Sequence, residues 1–380
     1  GPRKPPRTTA QGSPLARMEG LRDGLRRASL PIDDFDDDRV AEVLQRLALA
    51  TEGGSSTPCG PVFQQFGHGG DPAAMAYFKN RTSLVRGYFP GALGCEDFLN
   101  RMEIALSRYG FNGDNSIAMT NLCRDEITSI FRQKIDDIFG MNFSTNGLGG
   151  VMTCGRTGLK AGISHAPICS TTGRSNYVFF AFPHIAISAT GDVGKIGRPG
   201  QVETNSACGA LIGAMSKIKS DGVAECAHVA GEHDADDPEM SILMHRLARR
   251  LKAEGGVGKE DEITLPSITK VAQEVMTSDL EHLINLVVDP SEADYAVVTG
   301  IQVHSWGDSY HDLHPNLEYV QPCSLYVVNQ GKRTDIDIQT IAGPTPRQLR
   351  LLNAPQLKRS EIDLSIRPDS PHVHTMTRRR

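Results

Sequence analysis

The chain has 380 residues, 39% of them hydrophobic and 22% charged, with a formal net charge of −5. That length and balance describe one large or two medium globular domains with enough apolar residues to bury a core. The small negative charge gives no electrostatic footprint for nucleic acid, and no apolar run is long enough to span a bilayer.

Gly1-Pro2 resembles a protease-cleavage scar. Arg3 to Arg17 carries basic residues and hydroxyls and no acid, which suits either the remnant of an organelle transit peptide or a disordered basic arm. Leu15 to Leu30 alternates arginines with leucines and is expected as a short basic surface helix. The acidic cluster Asp33 to Asp38 would favour the start of a helix over Val40 to Leu49. It lacks the oxygen-ligand spacing and central glycine of a calcium loop. Gly53 to Gly70 reads as a linker. The expected organisation is a basic, low-complexity arm over 1–58, a compact domain over 59–345 and a flexible tail over 346–380.

Within the compact part, Cys95 to Arg108 places Phe98, Leu99, Met102, Ala105 and Leu106 at a helical period. Ser116 to Cys123 is a strand candidate. The helix after Arg124-Asp125-Glu126 would put Ile127, Ile130, Phe131, Ile135 and Ile138 on one side. Leu148 to Thr153 is expected as a second strand and Tyr177 to Phe182, aromatic and β-branched, as a third. Ser206 to Ser220 is expected as a helix capped by Ser206, just before Cys208. Glu239 to Lys252 reads as a basic amphipathic helix and Val271 to Val288 as one or two helices. Tyr295 to His304 and Ser324 to Val328 read as further strands. This alternation predicts an α/β fold with a mostly parallel central sheet flanked by helices. Ligands in such sheets gather at the carboxyl ends of strands, where Cys123-Arg124-Asp125, Cys154 and His184 are all expected to fall.

Eight cysteines in a chain of this length do not make a disulfide scaffold, so mostly reduced thiols are expected. Cys154, His184 and Cys208 each lie at the border of an apolar run. Two thiolates and an imidazole would hold a zinc ion with one tetrahedral position left open, the mark of a catalytic rather than a structural site. The spacing alone, 30 and then 24 residues with no C-x-x-C pair, leaves open the plainer reading of buried cysteines as small hydrophobes. Cys123 and Cys169 are read in that plainer way. His165 is a candidate proton shuttle or a histidine bonded to backbone. Arg174 and Arg198 are candidate loop anchors near the pocket. His304, Asp308, His311, Asp312 and His314 form a second His/Asp cluster, read as structural or solvated.

Three segments carry a resemblance: Asn146-Gly147-Leu148-Gly149-Gly150-Val151-Met152-Thr153-Cys154-Gly155, then Tyr177 to Ile187 with Phe182-Pro183-His184, then Ala207-Cys208-Gly209-Ala210-Leu211. Cys123-Arg124-Asp125-Glu126 fits as well. Over roughly residues 60–340 the chain resembles the limiting-CO2-inducible protein B and C family of algae. Members of that family look like β-type carbonic anhydrases. The resemblance implies a dimeric α/β protein with a Cys-His-Cys zinc site, Cys154, His184 and Cys208 as the ligands, and CO2/bicarbonate as substrates. It also implies a chloroplast setting in a carbon-concentrating mechanism, with a homodimer and a hetero-oligomer with a paralogous subunit as the expected assemblies. A catalytically silent zinc subunit with a scaffold role is the alternative, and a metal-free thiol protein is a third.

Ordinary β-type enzymes carry Cys-x-Asp-x-Arg at the first ligand, whereas Cys154 is followed by Gly155-Arg156-Thr157-Gly158. They also place the second cysteine three residues after the histidine. Here it follows 24 later, after an insertion over Ile187 to Arg198 that resembles a hairpin around Gly191-Asp192. Asp125 and Arg124 are therefore the candidate catalytic pair. Asp125 would fix the reacting water, and Arg124 would hold the carboxylate ionised. The helix start behind Cys208 is expected to favour its thiolate.

Overall fold

Three apolar runs pair side by side and set the architecture: β2 (Ile117–Leu122), β4 (Ser175–Phe182) and β8 (Ala293–Ser305), all parallel. They are buried along nearly their whole length, as strands covered on both faces must be. The computed structural model describes residues 72–346 except 171, 199–200, 229–232, 307–315 and 344. The expected arm, linker and early helices, Asp308, His311, Asp312, His314 and the tail beyond 346 lie outside the described residues.

The sheet runs β1 (Leu93–Gly94), β9 (Leu317–Asn329), β8, β4, β2, β3 (Asn142–Ser144). A short β5 (His184–Ala186) also pairs parallel with β8, and β10 (Lys332–Asp335) pairs with β9. β9 returns antiparallel along β8, so the parallel centre carries an antiparallel flank. β6 (Lys195–Ile196) and β7 (Asn205–Ser206) form a separate antiparallel pair.

The period of two along β4 divides the core. Phe180 and Phe182 face α2 (Cys95–Arg108) and α3 (Ser129–Phe139). Phe179 and Ala181 face the other layer, which holds α4 (Gly155–Ile163) and α8 (Leu265–Val287). Phe182 meets the rings of Phe98 and Phe131 edge-on, with centroids 5.9 and 5.1 Å away. Such pairs contribute about 0.5–1.5 kcal/mol each beyond area burial. A further cluster joins α1 (Pro72–Tyr88), α5 (Gly209–Asp221), α6 (Val223–Cys226) and α7 (Pro238–Ala253) over the carboxyl-terminal end of the sheet. No helix among the described residues is long and apolar enough to cross a membrane.

The helix over Cys95 to Arg108 forms as the period predicts. Four expectations change. Ile130 points outward, because its helix buries the stripe Phe131, Ile135 and Ile138 instead. Val271 to Val288 is one helix whose start lies earlier, where Thr264 and Ser267 cap each other and Pro266 takes the first turn. Ser206 belongs to β7, and Cys208 itself stands at the helix entrance in the left-handed region, φ 58°. Finally, Leu148 to Thr153 is not a strand. Gly149 and Gly150 take φ 59° and 82°, and the segment curls into a single 3-10 turn. A Cβ on Gly147 would stand 2.1 Å from the Val151 carbonyl oxygen, an approach that only glycine permits. Cys154 therefore follows a tight glycine loop and enters α4, rather than ending a strand.

Candidate metal centre

β2 and β4 are parallel neighbours, so their carboxyl ends reach the same edge. Cys123 follows the last residue of β2 and is held there by a parallel bridge to Gly147. On β4, Pro183 follows Phe182 and His184 opens β5, paired opposite Gln302 of β8. Cys208 comes from the far side of the β6–β7 hairpin, at the mouth of α5. The ligand atoms of Cys123, His184 and Cys208 all lie within 4.8 Å of one another, and all three residues are buried.

Cys154 is not in that group. It is half-buried against the layer containing Leu159 and Met276, whereas Cys123 and Cys208 share the cluster beneath α5 and α7. Of the expected trio Cys154, His184 and Cys208, the structure brings the last two together with Cys123 beside them and leaves Cys154 apart. A signal for this was present in the sequence. Cys123-Arg124-Asp125 has the Cys-x-Asp spacing that Cys154 lacks.

His184 Nε2 is fully buried and has no hydrogen-bond partner. A buried polar atom left unpaired is costly and calls for an explanation. A cation between this nitrogen and the two sulfurs supplies one. Two thiolates and an imidazole are soft donors of the kind that select zinc-like ions, and three protein donors leave a tetrahedral position free. The residues present therefore fit a metal.

Asp125 lies beside the trio. Its Oδ2 is 3.8 Å from His184 Nε2 and accepts from the Cys208 backbone N–H at 3.4 Å. Arg198, not Arg124, is its cation: Nη2 donates to both carboxylate oxygens at 3.0 Å. Arg198 also donates from Nη1 to the Ser206 carbonyl at 2.7 Å and from Nε to Glu126 at 2.6 Å, tying the hairpin to the loop after β2. Arg124 turns away and makes a two-point pair with Glu239 of α7, at 2.9 and 2.7 Å. Burial alone would push the Asp125 carboxyl up. The two hydrogen bonds and the charge of Arg198 are among the effects that outweigh it and hold the carboxyl below its ordinary value.

The sulfurs are coupled. A hydrogen bond from Cys208 lowers the Cys123 thiol below its ordinary value against the opposing effect of burial. Burial first, and then Cys123, push Cys208 well above the ordinary thiol value. The helix start does not win at Cys208, contrary to expectation, because full burial outweighs it. The pair thus shares one proton when no ion is present. A metal needs both sulfurs as thiolates, so binding expels that proton. Protons compete with the ion, and affinity falls as pH falls. Chelator competition should show affinity rising about tenfold per pH unit between about pH 6 and 8. A flat profile would mean that both sulfurs are already ionised.

The remaining candidates fall elsewhere. His165 packs its ring edge-on to Phe143. Arg174 anchors the 290–294 turn, donating to the carbonyls of Pro290 and Ala293 and pairing with Asp294. Cys169 is a buried residue whose N–H bonds the Arg174 carbonyl. Cys95, Cys123, Cys154, Cys208, Cys226 and Cys323 are free thiols.

A family model described as limiting CO2-inducible proteins B/C beta carbonic anhydrases matches residues 92–329. Among solved structures, the crystal structure of limiting CO2-inducible protein LCIB is 46% identical, with 66% of this chain and 96% of that chain covered at a TM-score of 0.55. That of PtLCIB4, a homologue of LCIB, is 19% identical, with 67% and 98% covered at a TM-score of 0.54, a likeness of fold. No curated protein matches the chain.

Proposed function

Because the chain belongs to the family of limiting CO2-inducible proteins B/C β-carbonic anhydrases, we propose that it interconverts CO2 and bicarbonate at a zinc ion held by Cys123, His184 and Cys208. The observation that carries this reading is the buried, unpartnered Nε2 of His184 facing two sulfurs, beside a carboxylate pinned by an arginine. A zinc ion bound there supplies the Lewis acidity that brings the pKa of water down to about 7. The chain's own residues do the rest. Asp125 Oδ2 is placed to accept a hydrogen bond from the reacting water and so to aim its lone pair at the carbon of CO2. Arg198 keeps that carboxylate ionised and fixes its plane by a two-oxygen grip. The apolar side chains of Val151, Ile185 and Leu211, in the same cluster as the two sulfurs, keep bulk water away.

A second reading uses the same donors: a metal-bearing subunit without turnover. The near-complete burial of all three donors favours it, since a substrate must reach them. Metal analysis with oxygen-isotope exchange on the purified protein separates the two. About one zinc per chain and isotope exchange well above background are expected. Full zinc with background exchange would establish the silent reading, and absence of metal under reducing conditions would defeat both. A homodimer in a chloroplast carbon-concentrating mechanism, the setting that the sequence resemblance implies, belongs to the same proposal.

A further inference from the structure

The geometry points to His304 and Glu318 as positioning residues that hold the His184 ring in the tautomer whose Nε2 lone pair faces the two cysteines. This rests on the metal reading above. His184 Nδ1 is 3.1 Å from His304 Nε2, and His304 Nδ1 is 3.0 and 2.8 Å from the two Glu318 oxygens. Trp306 Nε1–H donates to the same carboxylate. The chain of contacts is built by the sheet. His304 of β8 stands opposite Glu318 of β9 in the antiparallel register and opposite Ala186 of β5 in the parallel one. Both rings are sealed from water, at 0% and 1% exposure, so no solvent molecule can reassign their protons.

The directions follow from what each group can do. A carboxylate only accepts and an indole N–H only donates. Glu318 therefore takes a proton donor from His304, which places the hydrogen on His304 Nδ1. A neutral imidazole with Nδ1–H has an accepting Nε2, so His184 must donate from its own Nδ1. His184 Nε2 is then bare, and it is the atom that faces Cys123 and Cys208 without a partner. Reversing the chain would require Glu318 to donate. It would also place an N–H where the metal must bind. The second histidine lengthens the usual link between a ligand histidine and an orienting carboxylate by one ring. It lets a carboxylate on the far side of β8 set a proton position on β5.

Two measurements decide this. In the protein as purified, long-range nitrogen–proton correlation of labelled histidine should show both His184 and His304 protonated at Nδ1 and bare at Nε2. A proton on Nε2 of His304 overturns the proposal whether or not metal is present, while metal analysis of the same sample tests the functional reading separately. His304→Leu should weaken zinc binding about 10- to 100-fold in chelator competition. His304→Gln should stay within about 3-fold, because its amide oxygen can accept from His184 while its NH2 donates to Glu318. Equal affinities in the two variants would show that the ring serves packing alone.

Discussion

Replacing Asp125 with asparagine is expected to lower CO2–bicarbonate exchange by about 10²- to 10⁴-fold with the metal still bound, the range typical for loss of a positioned proton acceptor. The substitution keeps the shape and leaves an amide oxygen for the Cys208 N–H, 3.4 Å away in the native protein. What it removes is the charge that Arg198 grips and the acceptor strength offered to the reacting water. Arg198→Ala should fall in the same direction, because both Asp125 oxygens lose their cation at 3.0 Å and the β6–β7 hairpin loses its tie through Ser206. Arg124→Ala should stay within about 5-fold, since an exposed pair such as Arg124–Glu239 is worth about 1 kcal/mol or less. Exchange that survives in Asp125→Asn would move the role to another group. A collapse in Arg124→Ala with Arg198→Ala unaffected would reverse the assignment of the cation.

The second large effect concerns the ligands. Cys123→Ser and Cys208→Ser are each expected to abolish bound metal, weakening affinity by more than the roughly 100-fold at which the loss of outer partners tops out. Serine's hydroxyl does not ionise at neutral pH and offers zinc a hard oxygen in place of a thiolate. Cys154→Ser should retain full metal, because Cys154 is absent from the donor group and packs in a different layer. Metal stoichiometry of the purified variants checks all three. Full zinc in Cys123→Ser, or its loss in Cys154→Ser, would restore the assignment expected from the sequence.

Those two outcomes bear on where sequence reasoning stopped. The buried strands were legible because Tyr177 to Phe182 and Tyr295 to His304 are continuous apolar runs, and the helix over Cys95 to Arg108 because its apolar residues recur at a helical period. His184 and Cys208 were legible as donors from the segments around them. The Asn146 to Gly155 segment misled because its apolar residues resemble a strand, while Gly149, Gly150 and Gly155 adopt positive φ and the segment folds into a turn. The second partner of each functional group was also hidden. Asp125 finds Arg198 across 73 residues rather than its neighbour Arg124, and His184 finds His304 across 120.

The sequence by itself determined the long buried strands and several of the helices, the family to which the chain belongs, and two of the three clustered donors. Only the tertiary structure decided that Cys123 completes the trio, that Arg198 serves Asp125, and that His304 and Glu318 stand behind His184. The reason is physical. Periodicity and propensity act over neighbours in the chain, whereas these contacts arise where β2, β4, β5, β8 and β9 lie side by side, and strand order and register are properties of the folded sheet.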